Sequence, residues 1–161
     1  MPLEDGSVLV AEIATGSIVV ASGPGDDNRR VLTAGLAGPV QMVLRSDGDL
    51  YVSEAAGTVQ RIKLADGGNT QVADKLALPE GIAFTPWGTL VVAEAAAGRL
   101  TELDLANQQR RTLAEGLPIG LSGGPGMPPP YVATGVTVAA DGTVFFTANR
   151  NNAVYCIKPM R

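Results

Sequence analysis

A pattern of turn and strand recurs four times along the chain and constrains the fold more than any other feature of the sequence. Each copy begins with a two-residue turn that ends in glycine, continues with an apolar run, and reaches a polar residue before a second turn. The four first turns are Asp5-Gly6, Asp47-Gly48, Trp87-Gly88 and Asp141-Gly142, and the apolar runs are residues 8–10, 50–52, 90–92 and 144–146. Short apolar runs between Gly-containing turns are typical of antiparallel strands. The pattern predicts an all-β fold.

Further apolar runs complete each repeat. A second strand is predicted in residues 17–21, 58–62, 99–103 and 153–157, a third in residues 30–33, 70–73 and 111–114, and another before the last three turns in residues 40–44, 81–84 and 135–138. The four turns are 42, 40 and 54 residues apart. A period near forty residues with four strands is typical of a β-propeller blade, whose sheet buries its faces against neighbouring sheets.

We letter the strands of a blade A to D from the axis outward. By this lettering the chain begins with a strand B and stops after a strand C, with three A, four B, four C and three D strands. The sequence therefore predicts a single partial propeller domain over residues 1–161, with a Gly- and Pro-rich loop insertion at residues 118–131 before the last blade. An ordinary β-sandwich with coincidental internal similarity is the alternative, and four matched repeats disfavour it.

One stretch of the chain resembles a known family. Residues 79–94, which read Pro-Glu-Gly-Ile-Ala-Phe-Thr-Pro-Trp-Gly-Thr-Leu-Val-Val-Ala-Glu, and the following Gly98-Arg99-Leu100 resemble a blade of the gluconolactonase, strictosidine-synthase-like and NHL-repeat propellers. Residues 38–62 and 134–157 are similar to the same blade. The resemblance covers nearly the whole chain and is specific for the type of blade rather than for an activity.

Propellers of this kind usually have six blades, which need about 250 residues. An open arc of four blades would leave two apolar sheet faces in water. The sequence therefore predicts a second copy that completes the ring, a closed four-bladed monomer, or a missing remainder of a longer chain. The first of these is a homodimer, or another homo-oligomer, that joins residues 7–33 of one copy to residues 132–157 of the other.

Composition excludes several classes of chemistry. The chain has no histidine and one cysteine, which rules out His-based catalytic triads, His-ligated metals, disulfide frameworks and Cys zinc sites. Sixteen acidic and twelve basic side chains give a net charge of -4 without a basic cluster, which argues against nucleic acid and membrane surfaces as partners. No signal peptide or transmembrane segment is visible, and we expect a cytoplasmic protein.

The resemblance also implies where a site would lie. In metal-dependent gluconolactonase-like propellers, Glu, Asn and Asp ligands from different blades surround one hard cation at the mouth formed by the D–A and B–C loops. By position, Val40, Glu80 and Thr134 start the A strands, and Gln41 takes part if the register slips by one. Glu80 is the one strong ligand, so we expect it either to bind Ca²⁺ or another divalent cation, or to be a solvated loop carboxylate hydrogen-bonded to a neighbouring backbone N–H.

Other residues are candidates for binding. In the insertion, Met127 and Tyr131 are the bulky side chains of either a lid, a grip on a partner, or a tolerated surface loop. Arg150 is expected to orient an anionic ligand. Trp87 lies at the opposite mouth and marks an interface or lies flat on its own blade, and Cys156 is expected to be a buried, inert thiol.

One residue at the end of each strand B is polar, and its oxygen is expected to accept N–H groups of the tight turn that follows. These residues are Glu12, Glu54, Glu94 and Asn149.

Two functions follow from these features. The first is a non-catalytic propeller scaffold that binds a small molecule or protein partner at the carboxylate-lined mouth. The second is a metal-dependent lactonase or esterase that acts only in the assembled ring, with Glu80 as the candidate catalytic residue. A strictosidine-synthase-like condensation is a third, weaker reading. Binding is favoured because the ligand pattern is incomplete.

Overall fold

A computed structural model describes residues 1–122, 124 and 133–159, and in this part of the chain fourteen strands form four antiparallel sheets. Blade 1 contains β1 (Val8–Glu12), β2 (Ser17–Ala21) and β3 (Arg29–Thr33). Blade 2 contains β4 (Pro39–Leu44), β5 (Asp49–Glu54), β6 (Thr58–Lys63) and β7 (Asn69–Ala73). Blade 3 contains β8 (Pro79–Phe84), β9 (Leu90–Glu94), β10 (Arg99–Asp104) and β11 (Gln109–Ala114), and blade 4 contains β12 (Val136–Val138), β13 (Val144–Ala148) and β14 (Ala153–Ile157).

The strands of each sheet follow one another in chain order, and the A strands of successive blades lie against each other. Strand β4 contacts β8, and β8 contacts β12. Two 3-10 turns, Asp26–Asn28 and Ala95–Ala97, are the helical elements of the described residues, and no helix there is long and apolar enough to cross a membrane. The predicted all-β fold of four propeller blades is confirmed.

Blade 1 has a short substitute for its strand A. The amino group of Met1 donates a hydrogen bond to the carbonyl of Leu9, and the Leu9 N–H donates to the carbonyl of Met1. Pro2 forms a single antiparallel bridge with Val8. The few residues before Asp5 therefore run along the inner edge of β1, where blades 2 to 4 have an A strand.

The blades are held together by alternate faces of their strands, since successive side chains of a strand point to opposite sides. We call the face of a blade that meets the next blade in the chain its forward face, and the opposite one its backward face. In β1, β5 and β9 the forward face carries Leu9, Tyr51 and Val91, which are all buried. In β5, β9 and β13 the backward face carries apolar residues that pack against the preceding blade; these are Leu50, Val52, Leu90, Val92, Val144 and Phe146.

The two end faces of the arc are built like these interior faces but are exposed. On the backward face of blade 1, Val10 is 38% exposed, although its equivalents Val52 and Phe146 are buried. On the forward face of blade 4, Phe145 is 38% exposed, although its equivalents in the other blades are buried. Cys156 lies opposite Phe145 and is also exposed. The expectation of a buried thiol was wrong because no described residue covers this face.

The backbones of blades 3 and 4 approach closely at Gly81, and a methyl group there should destabilise the fold. A Cβ on Gly81 would lie 2.7 Å from the Val136 nitrogen and closer still to the Thr134 carbonyl oxygen, and backbone cannot move aside as a flexible side chain can. We expect Gly81→Ala to lower the free energy of unfolding by about 1–3 kcal/mol, the usual cost of overpacking. Urea unfolding monitored by circular dichroism measures this change.

The matched control is Gly135→Ala in the neighbouring A strand region. The nearest atom to a Cβ there is Thr147 Oγ1 at 3.7 Å, an ordinary contact, and neither glycine has a positive φ. We expect this variant to stay within about 0.5 kcal/mol of the wild type. Equal losses in the two variants would contradict the close approach of the blade 3 and blade 4 backbones.

Candidate functional site

The A strands begin with an irregularity that fixes which residues correspond between blades. In blade 2, Pro39 pairs with Glu54 and Met42 with Val52, so Val40 and Gln41 lie in between. In blade 3, Pro79 pairs with Glu94 and Ile82 with Val92, so Glu80 and Gly81 lie in between. Val136 pairs with Phe146 in blade 4, which puts Thr134 at the position of Glu80 and Val40. The positional match of these three residues is that expected from the sequence.

Glu80 is fully buried between blades 3 and 4. Its Oε2 atom accepts the Thr134 N–H at 2.6 Å, whereas Oε1 is buried without a hydrogen-bond partner. Burial raises the pKa of the Glu80 carboxyl, and the hydrogen bonds from Thr134 offset part of the increase. One of the two expectations was a solvated loop carboxylate bonded to a neighbouring backbone N–H. Glu80 does accept such an N–H, but it is a buried strand residue and is not solvated. The Oε1 atom, which lacks a hydrogen-bond partner, would be satisfied by a proton, a water molecule or a cation.

Two hydrogen bonds continue from Glu80 toward the mouth of the propeller. Asn149 donates from Nδ2 to Thr134 Oγ1 at 3.2 Å, and its Oδ1 accepts the N–H of Leu121 at 3.1 Å. Glu80, Thr134, Asn149 and the loop at residues 118–122 thus form a continuous polar chain. The sequence pointed to Glu80 and Thr134 but gave Asn149 only a turn-forming role, because its contact with Thr134 depends on how blade 4 folds.

Ser53 connects Gln41 to Glu80 through the backbone. The Ser53 hydroxyl donates to the Glu80 carbonyl at 2.6 Å and accepts the Gln41 N–H at 3.1 Å. Sequence reasoning missed Ser53. The sequence feature that could have indicated Ser53 is a polar residue on the forward face of strand B, where blade 3 has Ala93. Blade 4 has Thr147 at this position, and its hydroxyl accepts the Gly135 N–H in the same way.

A cavity of about 590 Å³ opens at the mouth where this polar chain ends. It is lined by residues 95–98, by most of residues 116–122 and by Arg150. Arg150 is exposed, and its N–H donates to the Pro118 carbonyl at 3.0 Å, which fixes the backbone beside the cavity. Met127 and Tyr131 lie outside the described residues. Of the residues predicted to bind a ligand, Arg150 lies near Leu121 at this cavity, whereas Gln41 lies in β4 of blade 2 and does not line the cavity.

In blades 2 and 3 the carboxylates at the ends of the B strands bind the loop that precedes their blade, whereas Glu12 in blade 1 accepts the hydroxyl of Thr15 in the following turn at 3.0 Å. Glu54 accepts the Ala37 N–H at 2.6 Å, and Glu94 accepts the Ala77 N–H at 2.7 Å. The expectation that they accept N–H groups of the following turn was wrong, because these side chains lie on the backward face. In blade 4 the strand position that corresponds to Glu54 and Glu94 is occupied by the buried Ala148. The alignment of Asn149 with the glutamates was therefore wrong by one residue.

Glu94 remains charged although it is buried. Burial alone would raise the pKa of Glu94, but hydrogen bonds from Arg99, Thr101 and the Ala77 N–H together hold that pKa below its usual value. The Arg99 guanidinium lies 2.7 Å from Glu94 Oε1. Glu94 is therefore saturated with donors and serves the structure, whereas Glu80 is not saturated.

The described residues do not make a metal site by themselves. They contain no group of three or more His, Cys, Asp or Glu side chains that could hold a metal ion. The side chains of the hydrogen-bonded chain that starts at Glu80 offer a carboxylate, the Thr134 hydroxyl and the Asn149 amide oxygen, and Ca²⁺ needs six to eight oxygen ligands. The donor set on this chain alone does not fit the expected cation.

Trp87 spans the junction of blades 3 and 4 at the opposite mouth. Its Nε1 donates to Glu102 Oε1 at 3.0 Å, and its ring lies where a Cβ on Gly142 would be. Trp87 is 55% exposed, so it lies partly on its own blade and partly across the next one.

Replacing Glu80 should stabilise the protein in a pH-dependent way. A carboxyl whose folded-state pKa is raised stabilises the fold below its unfolded pKa, and this contribution is lost as the pH rises through the folded pKa. At pH 7 we expect Glu80→Gln to be more stable than the wild type by about 1–3 kcal/mol, because a buried unpaired charge is removed. The difference should shrink toward zero below about pH 4, where both proteins are neutral at this site.

Glu94→Gln is the matched control with the opposite sign. The lowered pKa of Glu94 means that its contribution is present above the unfolded pKa and lost as the pH falls through the folded pKa. This variant should therefore be less stable than the wild type at pH 7 and approach it in acid. Urea unfolding at pH 7, at pH 4 and at about pH 2 measures both variants, since the contribution of Glu94 is lost only below its lowered folded pKa. A loss of stability in Glu80→Gln at pH 7 would contradict the burial of an unpaired carboxylate oxygen.

Solved structures with the same arrangement of blades provide the comparison with known proteins. No protein-family model and no curated protein sequence matches the chain. Virginiamycin B lyase from Staphylococcus aureus is similar over 98% of this chain and 50% of its own, with 19% identity and a TM-score of 0.70. A gluconolactonase from Xanthomonas campestris is similar over 98% of this chain and 60% of its own, with 19% identity and a TM-score of 0.68.

A nidogen–laminin complex contains a third similar chain, with 18% identity and a TM-score of 0.71, matched over 93% of this chain and 56% of its own. The chain therefore spans between about half and three fifths of the length of these proteins. At such low identity the likeness carries the fold and not the activity. The chain has the β-propeller fold shared by these lyase and gluconolactonase structures.

Proposed function

We propose that the chain is the ligand-binding part of a β-propeller that holds a small polar molecule at the mouth formed by the D–A and B–C loops. The observation that carries this proposal is the hydrogen-bonded chain from Glu80 through Thr134 and Asn149 to Leu121, which borders a cavity of about 590 Å³. Such a chain fixes the loop at residues 118–122 relative to the propeller core. A fixed loop beside a cavity lowers the entropy cost of binding.

The chemistry of the cavity favours a small hydroxylated acid. Its wall at residues 95–98 is Ala-Ala-Ala-Gly, and Gly116 and Gly120 contribute no side chain, so peptide groups border part of the space beside Leu117, Ile119 and Leu121. Peptide groups suit a ligand with several hydroxyls. The guanidinium of Arg150 would pair with a carboxylate on that ligand. The gluconolactonases among the similar structures support a sugar acid or its lactone as the class of ligand.

Titration of the purified chain with D-gluconate and with D-glucono-1,5-lactone tests this function. We expect saturable heat release by calorimetry, and we expect Arg150→Gln to weaken gluconate binding by roughly tenfold, since a charge-assisted hydrogen bond contributes about 1.5–3 kcal/mol. Arg45→Gln is the matched control, because Arg45 is an arginine beside the A–B turn of blade 2, at the other mouth. No binding of either probe, or equal binding by the two variants, would exclude this site.

The buried carboxyl of Glu80 favours a second function, a lactonase that acts only in an assembled ring. The bare Oε1 atom and the raised pKa would suit a cation or a proton at this position. Because the chain alone lacks enough ligands, the other oxygen donors would come from a second copy. Lactone hydrolysis that depends on added Ca²⁺ and disappears in Glu80→Gln would support this function, and gluconate binding without turnover would support the binding scaffold.

We also propose that two copies complete the ring. At the interior junctions, the forward residue of one strand B belongs to the same buried apolar cluster as the backward residues of the next, as Leu9 does with Leu50 and Val52. The exposed Phe145 and Val10 occupy these two positions at the ends of the arc. The forward face of blade 4 of one copy therefore fits the backward face of blade 1 of the other. A twofold axis would repeat the contact and close the ring.

Charge substitution of this pair tests the dimer. We expect the wild type to be dimeric by light scattering, and Val10→Lys and Phe145→Glu each to give monomers, because each places an unpaired charge in an apolar contact. The double variant should recover the dimer, since the introduced lysine of each copy would then face the introduced glutamate of the other. A wild type that is monomeric at micromolar concentration and melts cooperatively would exclude ring closure by a second copy.

A further inference from the structure

A cavity of about 480 Å³ lies at the mouth opposite Glu80, between the A–B turns of blades 2 and 3. The described residues that line it are 44–46 and 84–88. Leu44, Phe84, Pro86 and Trp87 supply apolar walls, and Arg45 is the one charged residue among them. Apolar and aromatic walls with a small number of polar groups are typical of a site for a small molecule.

The ring of Trp87 is held in a fixed orientation although it is exposed. Its Nε1 atom donates to Glu102 Oε1 at 3.0 Å, and the same carboxylate accepts hydrogen bonds from Thr89 and Arg111. Trp87 is nevertheless 55% exposed, and Leu44 in blade 2 is 38% exposed. An aromatic ring that is already fixed can stack on a ligand without losing further side-chain freedom.

The guanidinium of Arg45 is also positioned by its neighbours, but most of its N–H donors are unused. Its central carbon lies 5.4 Å from the centre of the Phe84 ring, and Nη1 donates to the Tyr51 hydroxyl at 3.4 Å. Asp47 Oδ2 lies 3.5 Å from Nε, which is longer than a normal N–H···O hydrogen bond. The side chain of Arg45 is 39% exposed, so the remaining donors can reach a ligand.

Two other arginines of the chain show what a saturated guanidinium looks like. Arg99 and Arg111 each donate two hydrogen bonds to a single carboxylate of their own blade. In residues 1–122, 124 and 133–159, no carboxylate accepts a hydrogen bond from Arg45. Its Nη2 atom is directed toward blade 3, since a Cβ on Gly88 would lie 4.0 Å from it. The unused donors therefore lie beside the turn that carries Trp87.

We propose that this cavity binds a small aromatic acid, whose ring stacks on Trp87 and whose carboxylate accepts N–H groups of Arg45. A single exposed ion pair contributes little by itself, so the ring and the charge are both needed. Gluconate has no aromatic ring to stack on Trp87 and is not a ligand of this cavity. The site is therefore separate from the mouth that holds Glu80 and does not depend on its function.

Fluorescence of Trp87 reports this site directly, because it is the one tryptophan of the chain. The probe is phenylacetate, titrated into the purified full chain. We expect a saturable blue shift of the emission, since the phenyl ring replaces water at the exposed face of the indole. The neutral phenylacetamide should bind about two- to fivefold more weakly, the range for an exposed ion pair. Equal affinity for acid and amide, no saturable shift, or the same shift with gluconate would overturn the proposal.

Three variants test the role of the Arg45 charge. Arg45→Gln should remove the preference for phenylacetate over phenylacetamide. Arg61→Gln is the control with the same change of net charge, and it should keep the preference, because Arg61 already donates to Asp49 at 2.6 Å. Asp47→Asn should bind phenylacetate up to about twofold more tightly, since it removes the competing charge beside Nε. A preference that persists in Arg45→Gln, or that disappears in Arg61→Gln, would contradict direct pairing with Arg45.

Discussion

Burial of sheet faces against one another is the constraint on which the rest of this structure depends. A sheet with an apolar face must bury it against another element, and each interior junction here removes such faces from solvent. The glutamates Glu54 and Glu94 reinforce two of these junctions by binding the loop that leads into their own blade. At the two ends of the arc the described residues provide no such burial, and Val10 and Phe145 are exposed there.

The contrast between Glu80 and Glu94 shows how one residue type serves two purposes in the same blade. Both side chains are fully buried, yet Glu94 has donors for both oxygens while Glu80 has a bare Oε1. A saturated carboxylate fixes geometry, whereas an unsaturated one retains the capacity to bind. Glu80 accepts the Thr134 N–H through its other oxygen, Asn149 donates to the Thr134 hydroxyl, and these two bonds connect the carboxyl to the proposed ligand mouth.

The repeat made much of the fold predictable, because turn glycines and alternating apolar residues are local features. The number of strands, the order of the sheets and the correspondence of Val40, Glu80 and Thr134 all follow from it. The roles of Ser53 and Asn149 did not follow, because their partners lie in other strands or loops. Cys156 was misjudged for a related reason, since an apolar strand is buried only if something lies against it.

By itself the sequence determined that the chain folds into propeller blades, and composition excluded chemistry that needs histidine or paired cysteines. Only the tertiary structure decided which polar groups meet. It buried Glu80 against Thr134, turned Glu54 and Glu94 toward the preceding loops, and opened a cavity between the A–B turns of blades 2 and 3. The physical reason is that strand formation depends on neighbouring residues, whereas burial and hydrogen-bond partners depend on sheets brought together from distant parts of the chain.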